Sequence, residues 1–151
     1  MRISAKVDYA VRAAVELAAA GERPVKGEVI AEAQGIPLKF LENILGELTH
    51  SGIVASRRGA QGGYWLAKAP DEVSLADIVR AVEGPLASVR GQGAEVLDYA
   101  GAAGPLQRVW IALRANIRAV LETVTLADVV SNKLPSGVVE LAAPAEAWQP
   151  H

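Results

Sequence analysis

Apolar residues return every three to four positions through the first fifty residues, and the pattern predicts three helices. In "SAKVDYAVRAAVELAAAG" they fall at Val7, Ala10, Val11, Ala14, Leu17 and Ala18, with Ser4 placed to cap the start and Gly21 to stop it. A short helix follows around Val29, Ile30 and Ala33 and ends at Gly35. Leu38, Leu41, Leu45 and Leu48, with Ile44 beside them, then form one stripe between Pro37 and Gly52. Two helices joined by three or four residues that include glycine are a helix-turn-helix candidate.

The period then changes. Residues 53–55 and 64–66 are strand-like runs around a glycine-rich connection. "APDEV" is a linker, and "SLADIVRAVEGP" opens on a capping box, Ser74 with Asp77, and stops at Gly84-Pro85. Residues 86–104 have no steady period and hold four glycines, which predicts an irregular loop. In "PLQRVWIALRANIRAVLETV", Leu106, Val109, Trp110, Leu113, Ile117, Val120, Leu121 and Val124 share one face of a long helix. "TLADVV" repeats the capping box with Thr125 and Asp128. The Ala- and Pro-rich end reads as weakly ordered. The expected division is a winged helix-turn-helix over 1–84, an irregular loop over 85–104, a dimerisation helix and short helix over 105–134, and a tail over 135–151. The fold class is mainly α with a small β-hairpin wing.

Composition narrows the chemistry. The 151 residues are 51% apolar, with three Trp, three Tyr and one Phe, so Ala and Leu dominate the apolar positions and favour close helix packing. That length suits one domain, or a small domain with an oligomerisation element. No run reaches the roughly 18 uncharged apolar residues of a membrane span. Asp8, Arg12 and Glu16 interrupt the alanine-rich start at helical spacing, so it reads as an amphipathic helix of a cytoplasmic protein and not as a signal peptide. Cysteine is absent, which removes disulfides, thiolate nucleophiles and cysteine-ligated metals together. Histidine occurs only at positions 50 and 151, so no histidine-rich metal site is expected. No catalytic constellation is left, and the chain is not expected to be an enzyme or to carry a cofactor.

The formal charge of −2 is unevenly spread. Residues 1–68 hold nine Lys/Arg against seven Asp/Glu, while residues 69–151 hold six against ten. The positive half contains "SRRGAQGGYWLAK". Its G-x-x-G-G lacks P-loop spacing and lies between two strands, so it is no phosphate cradle. One reading is a tight hairpin with solvated arginines. The other is a wing, lying along a duplex while the preceding helix enters the major groove, with Arg57 or Arg58 on phosphate or in the minor groove and Gln61 near the tip. The helix before it turns Lys39, Glu42, Asn43, Gly46 and His50 away from its apolar stripe. Lys39 suits phosphate or guanine, Asn43 adenine, and Glu42 the cytosine N4 amino group, whereas His50 reads as solvated. The long helix either covers the core or forms a dimer seam, the latter matching a two-fold operator.

From residue 1 to about 130 the chain resembles the Rrf2 family of bacterial winged-helix transcription regulators. The resemblance lies in "MRISAKVDYAVRAAVELA", in "IAEAQGIPLKFLENILGELTHSGIVASRRGAQGGYWLAKAPDEVSLADIVRAVEGP" and in "TLADVV". It implies a homodimer joined through the long helix, acting as a repressor or other regulator on a partly palindromic double-stranded site. It places Leu38, Lys39, Phe40, Glu42 and Asn43 on DNA, with Arg58 before Gly59, and makes Ser4 and Lys6 candidates for backbone contacts. Many members hold an iron–sulfur cluster on three cysteines ahead of the dimer helix. This chain has "LASVRGQGAEVLDYAGAAG" there, which resembles a cluster-free branch linked in part to cysteine and sulfur metabolism. Arg90, Asp98 and Tyr99 in that loop are then candidates for binding a small anionic effector, set against ordinary surface pairings. A different class of function, an interaction module acting through a partner enzyme, is the alternative.

Overall fold

Ser4 opens the first helix as the sequence predicts, its Oγ accepting from the Val7 N–H at 3.1 Å. The computed structural model describes residues 2–150. Helices α1 (Ala5–Ala20), α2 (Gly27–Gln34) and α3 (Leu38–His50) come first, then the strands β1 (Val54–Arg57) and β2 (Gly63–Leu66). After them come α4 (Leu75–Glu83), α5 (Leu106–Leu121), α6 (Leu126–Ser131) and α7 (Ser136–Ala142). Short 3-10 turns lie at 70–72, 94–96, 101–103 and 145–148.

The core sits where α1 crosses α3 and α4. Ala10, Ala13, Ala14 and Leu17 are fully buried, as are Leu41, Leu45, Leu48 and Ile78. Alanines on α1 let the helices approach closely, so the leucines of α3 fill the space between them. Gly35, in the left-handed conformation at φ +62°, ends α2. Ile36 then drops into the core and Pro37 starts α3, which completes the three-residue turn of the helix-turn-helix.

β1 and β2 pair antiparallel, Val54 opposite Leu66 and Arg57 opposite Gly63. Val25 adds a rung on the other edge of β2, exchanging two 2.8 Å hydrogen bonds with Tyr64. That bridge fastens the hairpin to the segment leading into α2.

The two capping boxes are spatial neighbours. Ser74 and Thr125 face each other in an antiparallel bridge. The Leu75 N–H donates to the Val124 carbonyl at 2.9 Å, and the Leu126 N–H to the Val73 carbonyl at 3.0 Å. "VSLAD" and "VTLAD" thus form a local repeat that caps α4 and α6 side by side. This knot explains why α5 stops at Leu121, short of the predicted face. Val124 leaves the helix and is buried at 3% exposure. α6, grouped by sequence with the dimerisation helix, packs on α1 with Leu126 fully buried.

Charge reinforces the knot. Glu122 accepts from Arg80 on α4 and from Arg118 at 2.9 Å, and these guanidiniums, Arg80 first, hold its carboxyl below the ordinary range. The Thr125 backbone N–H, followed by its hydroxyl, does the same for Asp128. Carboxyls lowered in the folded state contribute stability above their unfolded values and lose it as pH falls through the folded ones. The melting temperature should therefore drop on acidification below about pH 4. Glu122→Gln should flatten that drop, as read by calorimetry across a pH series, and an unchanged slope would remove Glu122 from the account.

The Ala- and Pro-rich tail carries α7 and a closing 3-10 turn, local structure its composition does not predict. Across 135–150 it is exposed apart from Pro135 and Val138, which are half-buried.

Candidate nucleic-acid interface

α3 divides its residues by face. Leu41, Ile44, Leu45 and Leu48 are buried, while Lys39, Glu42, Asn43, Gly46 and His50 are exposed, as the helical period predicts. Leu38 is half-buried, its methyl 3.7 Å from where a Cβ on Gly27 would stand. Phe40 is 44% exposed and meets the Tyr9 ring edge-on, centroids 5.7 Å apart, so half of it is spent on holding α3 to α1.

The hairpin brings its cations to the same side. A cleft of about 420 Å³ is lined by Glu42 of α3, by Ser56, Arg57, Arg58 and Gly59 of the hairpin, and by Lys26 and Glu28 at the start of α2. Arg57 donates to the Gln61 carbonyl at 3.1 Å, closing the hairpin tip. Arg58 and Gln61 are exposed. Lys26, which the sequence reasoning missed, donates to the Gly59 carbonyl at 2.7 Å and adds a third cation to the cleft. Nothing in "RPVKGE" signals that role, which depends on the hairpin folding back over the start of α2.

The glycines divide too. A Cβ on Gly62 would overlap the Arg57 carbonyl, and one on Gly63, at φ +143°, would lie 2.7 Å from the Val25 carbonyl oxygen. Both serve the protein's own packing. Of the three hairpin glycines, Gly59 combines a positive φ, +98°, with open space on the outer surface.

Ser4 and Lys6 are drawn inward. The Ser4 hydroxyl donates to Glu83 besides capping α1, and Lys6 donates to the Val82 carbonyl at 2.7 Å and pairs with Glu47 at 2.8 Å. They tie α1 to α3 and α4. In the loop, Arg90 lies over the Tyr99 ring, 5.9 Å from its centroid, and the Trp110 Nε1–H donates to the Tyr99 hydroxyl at 3.0 Å. Asp98 is exposed. Trp110 therefore faces its own loop, whereas Leu106, Val109 and Leu113 stand outward at 38%, 51% and 40% exposure. Ile117, Val120 and Leu121 are half-buried.

A polar row on the second helix of a helix-turn-helix, flanked by a basic hairpin, is the surface of a winged-helix transcriptional regulator. The Rrf2 profile, described as an iron-dependent transcriptional regulator, matches residues 3–132, and the chain belongs to the Rrf2 family. It is 52% identical over 143 residues to the provisionally named HTH-type transcriptional regulator Rv1287 of Mycobacterium tuberculosis, covering 94% of this chain and 89% of that one. Against the HTH-type transcriptional regulator CymR of Bacillus subtilis it is 36% identical over 132 residues, 87% of this chain and 91% of the relative. The solved structure titled as CymR (YrzC), the global cysteine regulator of B. subtilis, superposes with a TM-score of 0.74 at 35% identity, over 87% of this chain and 98% of that one. T. potens IscR gives 0.72 at 34% identity, over 87% and 88%.

The residues do not fit a cysteine-held iron–sulfur cluster, for the sequence contains no cysteine. Among the described residues no three His, Asp or Glu side chains gather as metal ligands. In the loop, Glu95 is engaged by Arg114. Likewise among the described residues, no helix is long and apolar enough to cross a membrane.

Proposed function

We propose that the chain is a homodimeric repressor in which two winged helices read the half-sites of a partly palindromic operator. The observation that carries this reading is the shared cleft, where Glu42 of α3 and Arg57 and Arg58 of the hairpin line one opening. Side chains from a groove-sized helix and a basic hairpin then approach one duplex together. Lys39, Asn43 and Glu42 carry the hydrogen-bonding groups for guanine, adenine and cytosine edges, and Arg58 supplies the cation at the wing. Ser4 and Lys6 are left as supports of α1, since both already have partners within the chain.

The exposed stripe of Leu106, Val109 and Leu113 on α5 supports a seam between two copies. Without thiolates, signalling falls to a small molecule or a partner protein. An anionic metabolite would compete with Tyr99 for Arg90, beside Asp98. Similarity to CymR, titled a cysteine regulator, makes cysteine and sulfur metabolism the first regulon to examine.

Genome-wide footprinting of the purified protein tests the reading, because it returns the operator and the genes beside it. On that operator Arg58→Ala should cost about 1–3 kcal/mol if the guanidinium meets a base edge. If it meets phosphate, the loss should be nearly uniform across sequences and the salt slope shallower by about one. Titration by fluorescence anisotropy at several salt concentrations separates the two. Unchanged affinity together with an unchanged slope would exclude Arg58 as a contact.

A further inference from the structure

The chain runs on past the family profile, which ends at residue 132. Nearly the whole CymR structure, 98% of it, is matched by only 87% of this chain. The residues past 132 form α7 and the 3-10 turn behind it, closed into a clasp by the Trp148 Nε1–H donating to the Ala142 carbonyl at 2.6 Å. On that clasp Val139, Leu141 and Trp148 stand 53%, 65% and 77% exposed. Val139 and Leu141, two positions apart, stand on different sides of α7, and with Trp148 on the turn they leave the clasp with large apolar side chains to cover, the mark of an interaction surface.

We propose that the clasp of each copy docks on α5 of a second copy, so that the dimer is held by exchanged arms as well as by paired helices. The docking rests on the dimer proposed above. Charge favours it: of the three arginines of α5, Arg114 and Arg118 already pair with Glu95 and Glu122, which leaves Arg108 to face 134–150, where Glu140 and Glu146 stand with no basic residue. Arg108 is exposed and in no ion pair among the described residues. The apolar match is similar, because Ile111, one turn along the same face as Arg108 and off the seam stripe, is 39% exposed. The arm also has reach. Residues 132–135 are non-helical and link α6, fixed on α1, to α7, and four such residues span up to about 13 Å. Within its own protomer α7 packs on the turn that follows it, leaving its apolar side chains for the second copy.

Sedimentation equilibrium on the full chain tests the docking, with Val139→Asp and Leu141→Asp combined. Both side chains are exposed in the protomer, so the fold should survive, and the dimer should weaken roughly tenfold or more. The difference in acrylamide quenching between the unsubstituted chain and Trp148→Phe reports the arm directly. Trp148 should be shielded in the dimer and released on dilution. An unsubstituted dimer that keeps its affinity after the double substitution, with Trp148 quenched freely at every concentration, would overturn the arm and leave the dimer standing. Shielding independent of concentration would mean that the arm folds back on its own protomer, which also overturns it. An unsubstituted chain that stays monomeric throughout would remove the dimer and the arm together.

Discussion

Changing Val109 and Leu113 together to aspartate is expected to yield a folded monomer that binds its operator at least a hundredfold more weakly. Both side chains are exposed in the protomer, at 51% and 40%, so their loss opens no cavity and leaves the winged domain intact. Four introduced carboxylates per dimer would instead face one another across the proposed seam. Two joined half-site readers gain about 10²–10⁴ in avidity over one, and a monomer forfeits that gain. Circular dichroism should be unchanged, light scattering should halve the mass, and anisotropy should show the affinity loss. A variant that remains dimeric and binds normally would move the seam off α5.

The second large effect is expected from Gly62→Ala. The added methyl would overlap the Arg57 carbonyl, part of the strand pair itself, so the hairpin must open instead of adjusting a flexible side chain. Overpacking of this kind costs about 3 kcal/mol, or roughly 9 °C in melting temperature for a chain of this size. The amides of Val25 and Tyr64, donors in the rung that fastens the hairpin, should exchange faster. DNA affinity should fall further than for Arg58→Ala, because the whole wing is displaced. Gly59→Ala serves as the control. Unlike Gly62 it has a positive φ, +98°, but meets open space, so only backbone strain of about 1–2 kcal/mol is expected. Equal exchange rates in the Gly62 variant and the unsubstituted protein would mean the turn can absorb the methyl.

Features written in short-range chemistry were legible before any coordinates. The faces of α3, the Ser4 cap, the Gly35 turn and both capping boxes involve residues within a few positions of one another, and each falls where periodicity and capping rules place it. The hairpin was legible for the same reason. Contacts between distant segments were not. Lys26 reaches Gly59 across thirty-three positions, and Ser4 reaches Glu83 across seventy-nine. The glycine loop reads in sequence as freedom to approach a ligand, yet Gly63 is required by Val25, far upstream. Trp110 satisfies the helical period of the outward stripe, but its indole N–H needs an acceptor and finds Tyr99 in the loop. Periodicity gives the face of a helix without saying which neighbour claims it.

The paired "VSLAD" and "VTLAD" segments set a rule for recombining this regulator with its relatives. A chimera spliced anywhere between Gly84 and Pro105 would unite one parent's first segment with the other's second, leaving Val73–Leu75 and Val124–Leu126 to match across parents. Exchanging DNA specificity between relatives therefore calls for transplanting α3 and the hairpin alone, with both crossover points upstream of Val73.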